Sequence, residues 1–493
     1  MTGQRLDVAI IGAGPAGIYA ADILAKSDID VAVDIFERLP APYGLVRYGV
    51  APDHPRIRQI IDALYAILQR GDINLLGNVN IGEDITIDDL RDHYDAVIFA
   101  TGSDRDAPID LPGQELEGCY GAADFVSWYD GHPDYSRSWP LNAPQVAVIG
   151  VGNVALDVAR ILAKHYEDLL TTEIPPNVAE MLATSPITDV HVFGRRGPAQ
   201  VKFTPLELRE LGQIPGVDII VYEEDFDFDE GSQKAINASK QTKQVVKTLM
   251  NFAMIPPEDR KAPRRIHIHM FHSPVEVLGD EHGNVRALVT ERTALQGDGS
   301  VSGTGELVET PVQAVYRAVG YFSSPLPGVP FDEDRGIIPN VGGRVTSVPI
   351  AEGETPDAAT ILPGVYATGW VKRGPVGLIG STKSDAQETI ANLLEDAAAG
   401  RIHARSMERG YEAITKILEA KDVPYTTWQG WELLNQFEKQ LGEDYGEVPG
   451  GRGPRERVKV VAREAMTAIS LGAEETEVPD LIGEAPEKAK RVE

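Results

Sequence analysis

Two glycine-rich turns, and the charged residues that follow them, are where this 493-residue sequence carries chemistry. The first, Gly12-Ala13-Gly14-Pro15-Ala16-Gly17, leads to Glu37; the second, Gly150-Val151-Gly152-Asn153-Val154-Ala155, leads to Arg195 and Arg196. In such a turn the first glycine permits the bend, the middle one lets backbone approach a pyrophosphate, and the third lets helix and strand close together. The helix that follows offers free N–H groups and positive potential to the anion. A carboxylate suits a ribose with free hydroxyls, whereas paired guanidiniums suit a ribose bearing a further phosphate. The asymmetry points to two dinucleotides, FAD at the first turn and NADPH at the second, and so to hydride transfer.

Each turn needs a strand before it and a helix after it, and the hydrophobic pattern supplies both. Residues 6–11 read as a strand, Ala16 to Lys26 as a helix, and Val31 to Phe36 as the strand ending at Glu37. Tyr94 to Ala100 is a further buried strand closing on Thr101-Gly102. The plan repeats with a strand at Gln145 to Ile149, a helix at Val154 to Lys164 and a strand at Asp189 to Phe193. That last strand comes late, after Pro175-Pro176 and Ser185-Pro186, so an inserted helix is expected before it. Without a ligand, Arg195-Arg196 reads as a solvated basic turn before Gly197-Pro198; with one, it is a fork for a phosphate. A second Ala-Thr-Gly at 367–369 leads into a glycine-rich turn, Gly374 to Gly380, and a helix from about Thr382 to Ala399. The N–H groups of that turn would face a flavin edge, where a helix N-terminus favours negative charge; otherwise it is a plain loop.

The fold class that follows is α/β, with two Rossmann-like dinucleotide-binding domains, the second inserted into the first. The expected boundaries are 1–105 for the first part of an FAD domain, 106–324 for an NADP domain and 325–472 for the return to the FAD domain. Residues 473–493 read as a disordered acidic tail with little to bury.

Composition narrows the function classes. The net charge is -29, from 46 basic and 75 acidic residues, which argues against nucleic acid and anionic membranes as partners. No apolar run reaches the length of a membrane span and no basic leader opens the chain, so a cytoplasmic location is expected. Cys119 is the single cysteine, which excludes dithiol chemistry within one chain. His267, His269 and His272 resemble metal ligands at first, but no carboxylate or thiol completes the set nearby. They read as surface strand histidines, and no metal is expected. Against the acidic background, residues 234–265 hold eight basic and two acidic residues. Lys240, Lys243 and Lys247 share a helical face opposite Val245, Leu249 and Phe252. That face is a solvated surface or a docking site for an acidic protein.

Beyond the turns, a long block at Pro42-Tyr43-Gly44-Leu45-Val46-Arg47-Tyr48-Gly49-Val50-Ala51-Pro52-Asp53-His54-Pro55 closely resembles the ferredoxin-NADP reductases of the adrenodoxin-reductase type, in particular their actinobacterial members. The resemblance continues through Gly152 to Leu162, Gly194 to Pro198, Leu206 to Leu211, Ile338 to Arg344 and Gly369 to Pro375, and covers the chain to about residue 472. It departs at the tail and at Tyr43, where a Phe or Trp is common. It implies flavin contacts at Ala16, Glu37, Leu45, Trp370, Gly377, Leu378 and Ile379, with an apolar one at or near Ile81. It implies NADP contacts at Gly152, Asn153, Val154, Arg195, Arg196 and Glu207, with Gly377 meeting both cofactors. His54 and Glu210 match a pair placed near the nicotinamide. From the residues alone, His54 equally belongs to the start of a helix at Pro55 with Asp53 as its cap, and Glu210 equally is a surface carboxylate.

The activity implied is hydride transfer from NADPH to FAD and single-electron transfer to a ferredoxin, docked through Lys240, Lys243 and Lys247, with Lys372, Arg373, Arg56 and Arg58 adding positive charge near the flavin. The competing classes are an NADPH-dependent diaphorase or quinone reductase, a flavin monooxygenase, and a non-enzymatic NADPH sensor.

Overall fold

The computed structural model describes residues 5–486 apart from 351–356, 358–359, 378, 403–405, 447 and 449–452. The chain forms two compact units, and the first is discontinuous: it takes Met1–Arg105, Tyr321–Gly446 and Glu456–Glu484. The second takes Asp106–Gly320 together with the short segments Glu447–Arg455 and Ala485–Glu493.

The first unit is built on a seven-stranded sheet. Across it the strands run Asn340–Val341, Arg344–Thr346, Ile361–Ala367, Ala96–Phe99, Leu6–Ile11, Val31–Phe36 and Asn74–Leu76. The last five are mutually parallel, and the first two form an antiparallel edge. Leu6–Ile11 is buried along its whole length, as a central parallel strand covered on both faces must be. One face packs on the helix Pro15–Ala25 and on Trp428 and Trp431 through Val8, Ile10, Val33 and Ile35. The other face buries Ala9, Ile11, Phe36, Val97 and Phe99 with Ile81, Ile338 and Ile414.

Two buried polar devices tie the returning chain segments to this sheet. The helix Ile379–Ala398 carries a stripe of Asp385, Thr389, Asn392 and Asp396, spaced to lie on one side. Asp385 accepts from the Gly369 N–H, Thr389 Oγ1 donates to the Ala367 carbonyl, Asn392 Nδ2 donates to the Gly342 carbonyl, and Asp396 accepts from Arg344 and Tyr366. In the helix Trp428–Tyr445, Glu438 is fully buried and takes a two-pronged bond from Arg47 at 2.5 and 3.0 Å, while Lys459 Nζ donates to the Arg47 carbonyl at 2.6 Å. Removing one partner of such a pair strands a buried charge.

After Gly472 the chain does not behave as a tail with nothing to bury. The Leu481 carbonyl accepts from the Val461 and Ala462 N–H groups, and Val478 and Leu481 pack against the core beside Met466 and Ile469. Two apolar side chains among acidic neighbours are enough to seat it through Glu484; residues 487–493 lie outside the described residues.

The second unit has a six-stranded parallel sheet in the order Cys119–Gly121, Ala314–Arg317, Gln145–Ile149, Asp189–Phe193, Arg264–His269 and Val217–Val221. A separate antiparallel meander of His272–Gly279, Val285–Leu295 and Val301–Pro311 follows, with its first turn at Asp280 to Asn284. The delay before Asp189 is filled by the turn Tyr166–Asp168 and the helix Pro176–Ala183. Among the described residues no helix is long and apolar enough to cross a membrane.

Candidate active site

Each glycine-rich turn sits at the C-terminal end of its first strand, and the glycines divide by what surrounds them. Gly12 has φ +108°, and a Cβ there would lie 2.5 Å from the Ala100 carbonyl oxygen. Gly150 has φ +139°, and a Cβ would strike the Ala318 carbonyl oxygen. At Gly17 a Cβ would strike the Gly12 carbonyl oxygen, whereas Ala155 at the matching place is fully buried with its methyl accommodated. The protein itself therefore demands glycine at 12, 17 and 150.

The middle glycines are different. Gly14 and Gly152 have φ of -77° and -101°, values open to any residue. A Cβ on Gly14 would meet only the Gly44 Cα, at 4.0 Å, and one on Gly152 would meet nothing within 4 Å among the described residues. Both glycines are also helix N-caps without a side-chain hydrogen bond, whereas Thr86, Thr204, Asp229, Ser239 and Thr427 cap their helices through side chains. Room for a side chain and helix starts without a side-chain cap coincide at the two turns, where a pyrophosphate would find free N–H groups. The residues present fit two dinucleotides.

Around the first turn, Glu37 ends its strand half-buried, accepting from the Ala13 N–H at 2.9 Å and the Leu39 N–H at 3.1 Å. Withdrawal from water pushes its carboxyl pKa up, against these N–H groups, which hold it down. Leu45 opens the short helix Leu45–Tyr48 after Gly44, whose φ of +50° brings it over Gly14. Ala16 meets the second Ala-Thr-Gly: Gly369 has φ +76°, and a Cβ there would lie 2.6 Å from the Ala16 Cβ. Trp370 is half-buried, its ring stacked on Tyr321 with centroids 6.3 Å apart. Gly377 has φ +88° and is exposed, Leu378 lies outside the described residues, and Ile379 begins a helix with its side chain likewise undescribed. Ile81 is buried in the core beside Val79 and Ile85. His54 is buried and is itself the N-cap residue ahead of Pro55, so the cap does not fall on Asp53; no side-chain cap bond forms.

Around the second turn, Gly150 N–H donates to the Phe193 carbonyl at 3.0 Å, which places the end of Asp189–Phe193 beside it. Arg195 is exposed and Arg196 half-buried in the turn that follows. Their backbone is fixed by residues the sequence did not flag: Thr293 Oγ1 donates to the Arg195 carbonyl at 2.8 Å, and Phe271, at φ +58°, donates to the Arg196 carbonyl. Asn153 Oδ1 accepts from the Thr204 N–H at 2.9 Å, joining this turn to the helix Pro205–Leu211. On that helix Glu207 is buried, 3.7 Å from Arg160, and Glu210 is half-buried. Val154 lies half-buried in the first turn of the helix Asn153–Ala163.

Lys240, Lys243 and Lys247 are all exposed on the helix Lys240–Ala253, with Val245 and Leu249 buried beneath. Two of the other cations assigned to the surface are not on it. Lys372 is buried against Asp385 at 3.1 Å and Glu388 at 2.6 Å, and Arg58 is buried against the Val50 and Ala51 carbonyls. Their apolar stems and available acceptors drew them inward. Cys119 is half-buried, and burial pushes its thiol up to about 11, so it is no nucleophile at neutral pH.

Paired turns of this kind, one followed by a carboxylate and the other by two guanidiniums, define an oxidoreductase of the two-dinucleotide class, and residues 6–190 match the family described as "Pyridine nucleotide-disulphide oxidoreductase". Within that class the chain is 38% identical over 478 residues to "NADPH-ferredoxin reductase FprA" of Mycobacterium tuberculosis, covering 94% of this chain and 99% of that protein. It is 37% identical over 449 residues to "NADPH:adrenodoxin oxidoreductase, mitochondrial" of Arabidopsis thaliana, covering 89% of this chain and 92% of that one. The solved structure of "Mycobacterium tuberculosis FprA in complex with NADPH" superposes with a TM-score of 0.82 at 36% identity, over 95% of this chain and 100% of that one. The chain belongs to the family of NADPH-ferredoxin and NADPH:adrenodoxin reductases.

Proposed function

We propose that this chain is an FAD-dependent NADPH:ferredoxin oxidoreductase. FAD, when bound, takes two electrons from NADPH as hydride and releases them one at a time to an iron-sulfur protein. The protein's own part is to bind and align. In this reading Gly12, Gly14, Ala16, Gly17, Glu37, Leu45, Ile81, Trp370, Gly377, Leu378 and Ile379 hold the flavin. Gly152, Asn153, Val154, Arg195, Arg196 and Glu207 hold the pyridine nucleotide. His54 and Glu210 orient the nicotinamide rather than exchange protons. The observation that carries the reading is that the fold would accept a methyl group at both Gly14 and Gly152, combined with a carboxylate after one turn and guanidiniums after the other.

The partner is a ferredoxin, and Lys240, Lys243 and Lys247 are its proposed docking face, since a local positive field steers an acidic partner against the global charge. We place the activity in the cytoplasm. The test is anaerobic stopped flow with the purified chain, NADPH and candidate ferredoxins. Bleaching of flavin absorbance by NADPH followed by ferredoxin reduction is expected. Flavin that stays oxidised removes every enzyme reading. Bleaching that passes to quinones, or consumes oxygen with hydroxylation of an organic substrate, and never reaches a ferredoxin, favours the diaphorase or monooxygenase classes instead.

A further inference from the structure

Three histidines on neighbouring strands of the second unit meet in a way the sequence did not announce. His267 and His269 alternate onto one face of Arg264–His269, and the parallel register puts His191 directly beside His267. Val190, Val192, Ile266 and Ile268 fill the opposite face and are fully buried. The imidazoles gather as a group: His191 and His267 lie with centroids 4.5 Å apart and 18° between planes, and His191 and His269 lie 5.3 Å apart at 24°. One ring nitrogen of each falls within 4.8 Å of the others. His272, grouped with them by sequence, turns away to bond Thr290 Oγ1 at 2.8 Å.

We propose that His191, His267 and His269 form a three-imidazole site for a divalent transition-metal cation, zinc or its first-row neighbours. His191 Nδ1 lies 3.0 Å from His269 Nε2, so one of the two carries a proton that the other accepts. A tetrahedral zinc with Zn–N bonds of about 2.0–2.1 Å separates its ligand nitrogens by roughly 3.3 Å, so a cation takes the place of that proton, which leaves to solvent, once the near-parallel rings turn to aim their in-plane lone pairs at one point. Asp189 Oδ1 lies 3.0 Å from His267 Nε2, the carboxylate–imidazole contact that orients a ligating ring. Tyr222 lies against the group, its ring stacked on His269 and its hydroxyl 3.0 Å from His267 Nδ1, a contact that a cation at that nitrogen displaces.

Nearby guanidiniums are met by carboxylates: Arg265 lies 2.7 Å from Asp189, and Arg292 lies 3.6 Å from Asp225. Three imidazoles leave a fourth coordination position for water. Imidazole donors suit zinc, copper and nickel, and do not suit magnesium or calcium.

The test is calorimetric titration of the chelator-washed, flavin-loaded full chain with Zn2+, beside Mg2+. One equivalent of Zn2+ per chain is expected, with no Mg2+ binding. His191→Gln and His269→Gln are each expected to weaken Zn2+ at least tenfold while flavin content and thermal melting stay as in the parent. His267→Gln is the replacement if either fails to fold. His282→Gln, in the exposed turn of the meander, serves as the control and is expected to change nothing. Absence of stoichiometric Zn2+ binding, or an affinity within twofold of the parent in the triad variants, overturns the site.

Discussion

The two glycine-rich turns share one plan and differ in how tightly the protein closes around them. At the first, Gly17 lets the helix lie against the turn, Glu37 is fixed by two backbone N–H groups, and Gly44 and Gly369 bring two further chain segments within contact. At the second, Ala155 stands where the first has Gly17, a Cβ on Gly152 would meet nothing within 4 Å, and the phosphate-binding candidates end in an exposed Arg195. In the proposed function, the first turn would retain a resident cofactor and the second would exchange a passing substrate, the difference lying in the neighbours of one shared backbone motif.

The sharpest way to break that contrast is Glu37→Ala. Two N–H groups lose their acceptor, at a cost of about 1–3 kcal/mol for each donor left unsatisfied away from water. The protein is expected to purify without flavin, and a yellow protein with the parent's flavin content would show that closure at the first turn does not depend on this carboxylate. The matching change at the second turn is Arg195→Ala with Arg196→Ala. Loss of charge-assisted hydrogen bonds worth about 1.5–3 kcal/mol predicts a rise of roughly 10- to 100-fold in KM for NADPH, with NADH little affected. Equal losses for both nucleotides would remove the phosphate fork.

How much of this was legible in the sequence depends on range. The turns, the strands at 6–11, 31–36, 145–149 and 189–193, and the late inserted helix follow from local rules, since positive φ and strand alternation are written into neighbouring residues. The helices begin one residue earlier than their apolar patterns suggested, at Pro15 and Asn153, because N1 favours proline and the middle glycine serves as N-cap. Glu438 clasping Arg47, Asp385 holding Gly369, and His191 joining His267 and His269 were not legible. Each is a polar pairing across elements, fixed by tertiary register. A buried polar stripe at Asp385, Thr389, Asn392 and Asp396 is the one signal that could have exposed its helix's role.

Smaller effects sharpen the account. Replacing Lys240, Lys243 and Lys247 by glutamate is expected to lower ferredoxin-dependent kcat/KM several-fold and flatten its salt dependence, as loss of electrostatic steering does, while reduction of a small dye stays unchanged. Unchanged ferredoxin turnover would remove that docking face. Cys119→Ser is expected to leave both half-reactions intact. In the parent, thiol labelling by iodoacetamide should be slow at pH 7 and accelerate towards pH 11, because burial keeps the thiolate scarce. Fast labelling at neutral pH with loss of activity would reopen thiol chemistry.

The central claim is that the middle glycines are kept for ligands and not for the fold, and Gly152→Ala tests it most directly. Its φ of -101° and the open space around it admit a methyl group without strain. The account predicts a protein with the parent's melting temperature and flavin content, and a Kd for NADPH, measured by anaerobic binding titration, weakened at least tenfold. NADPH binding at the parent's affinity would contradict it.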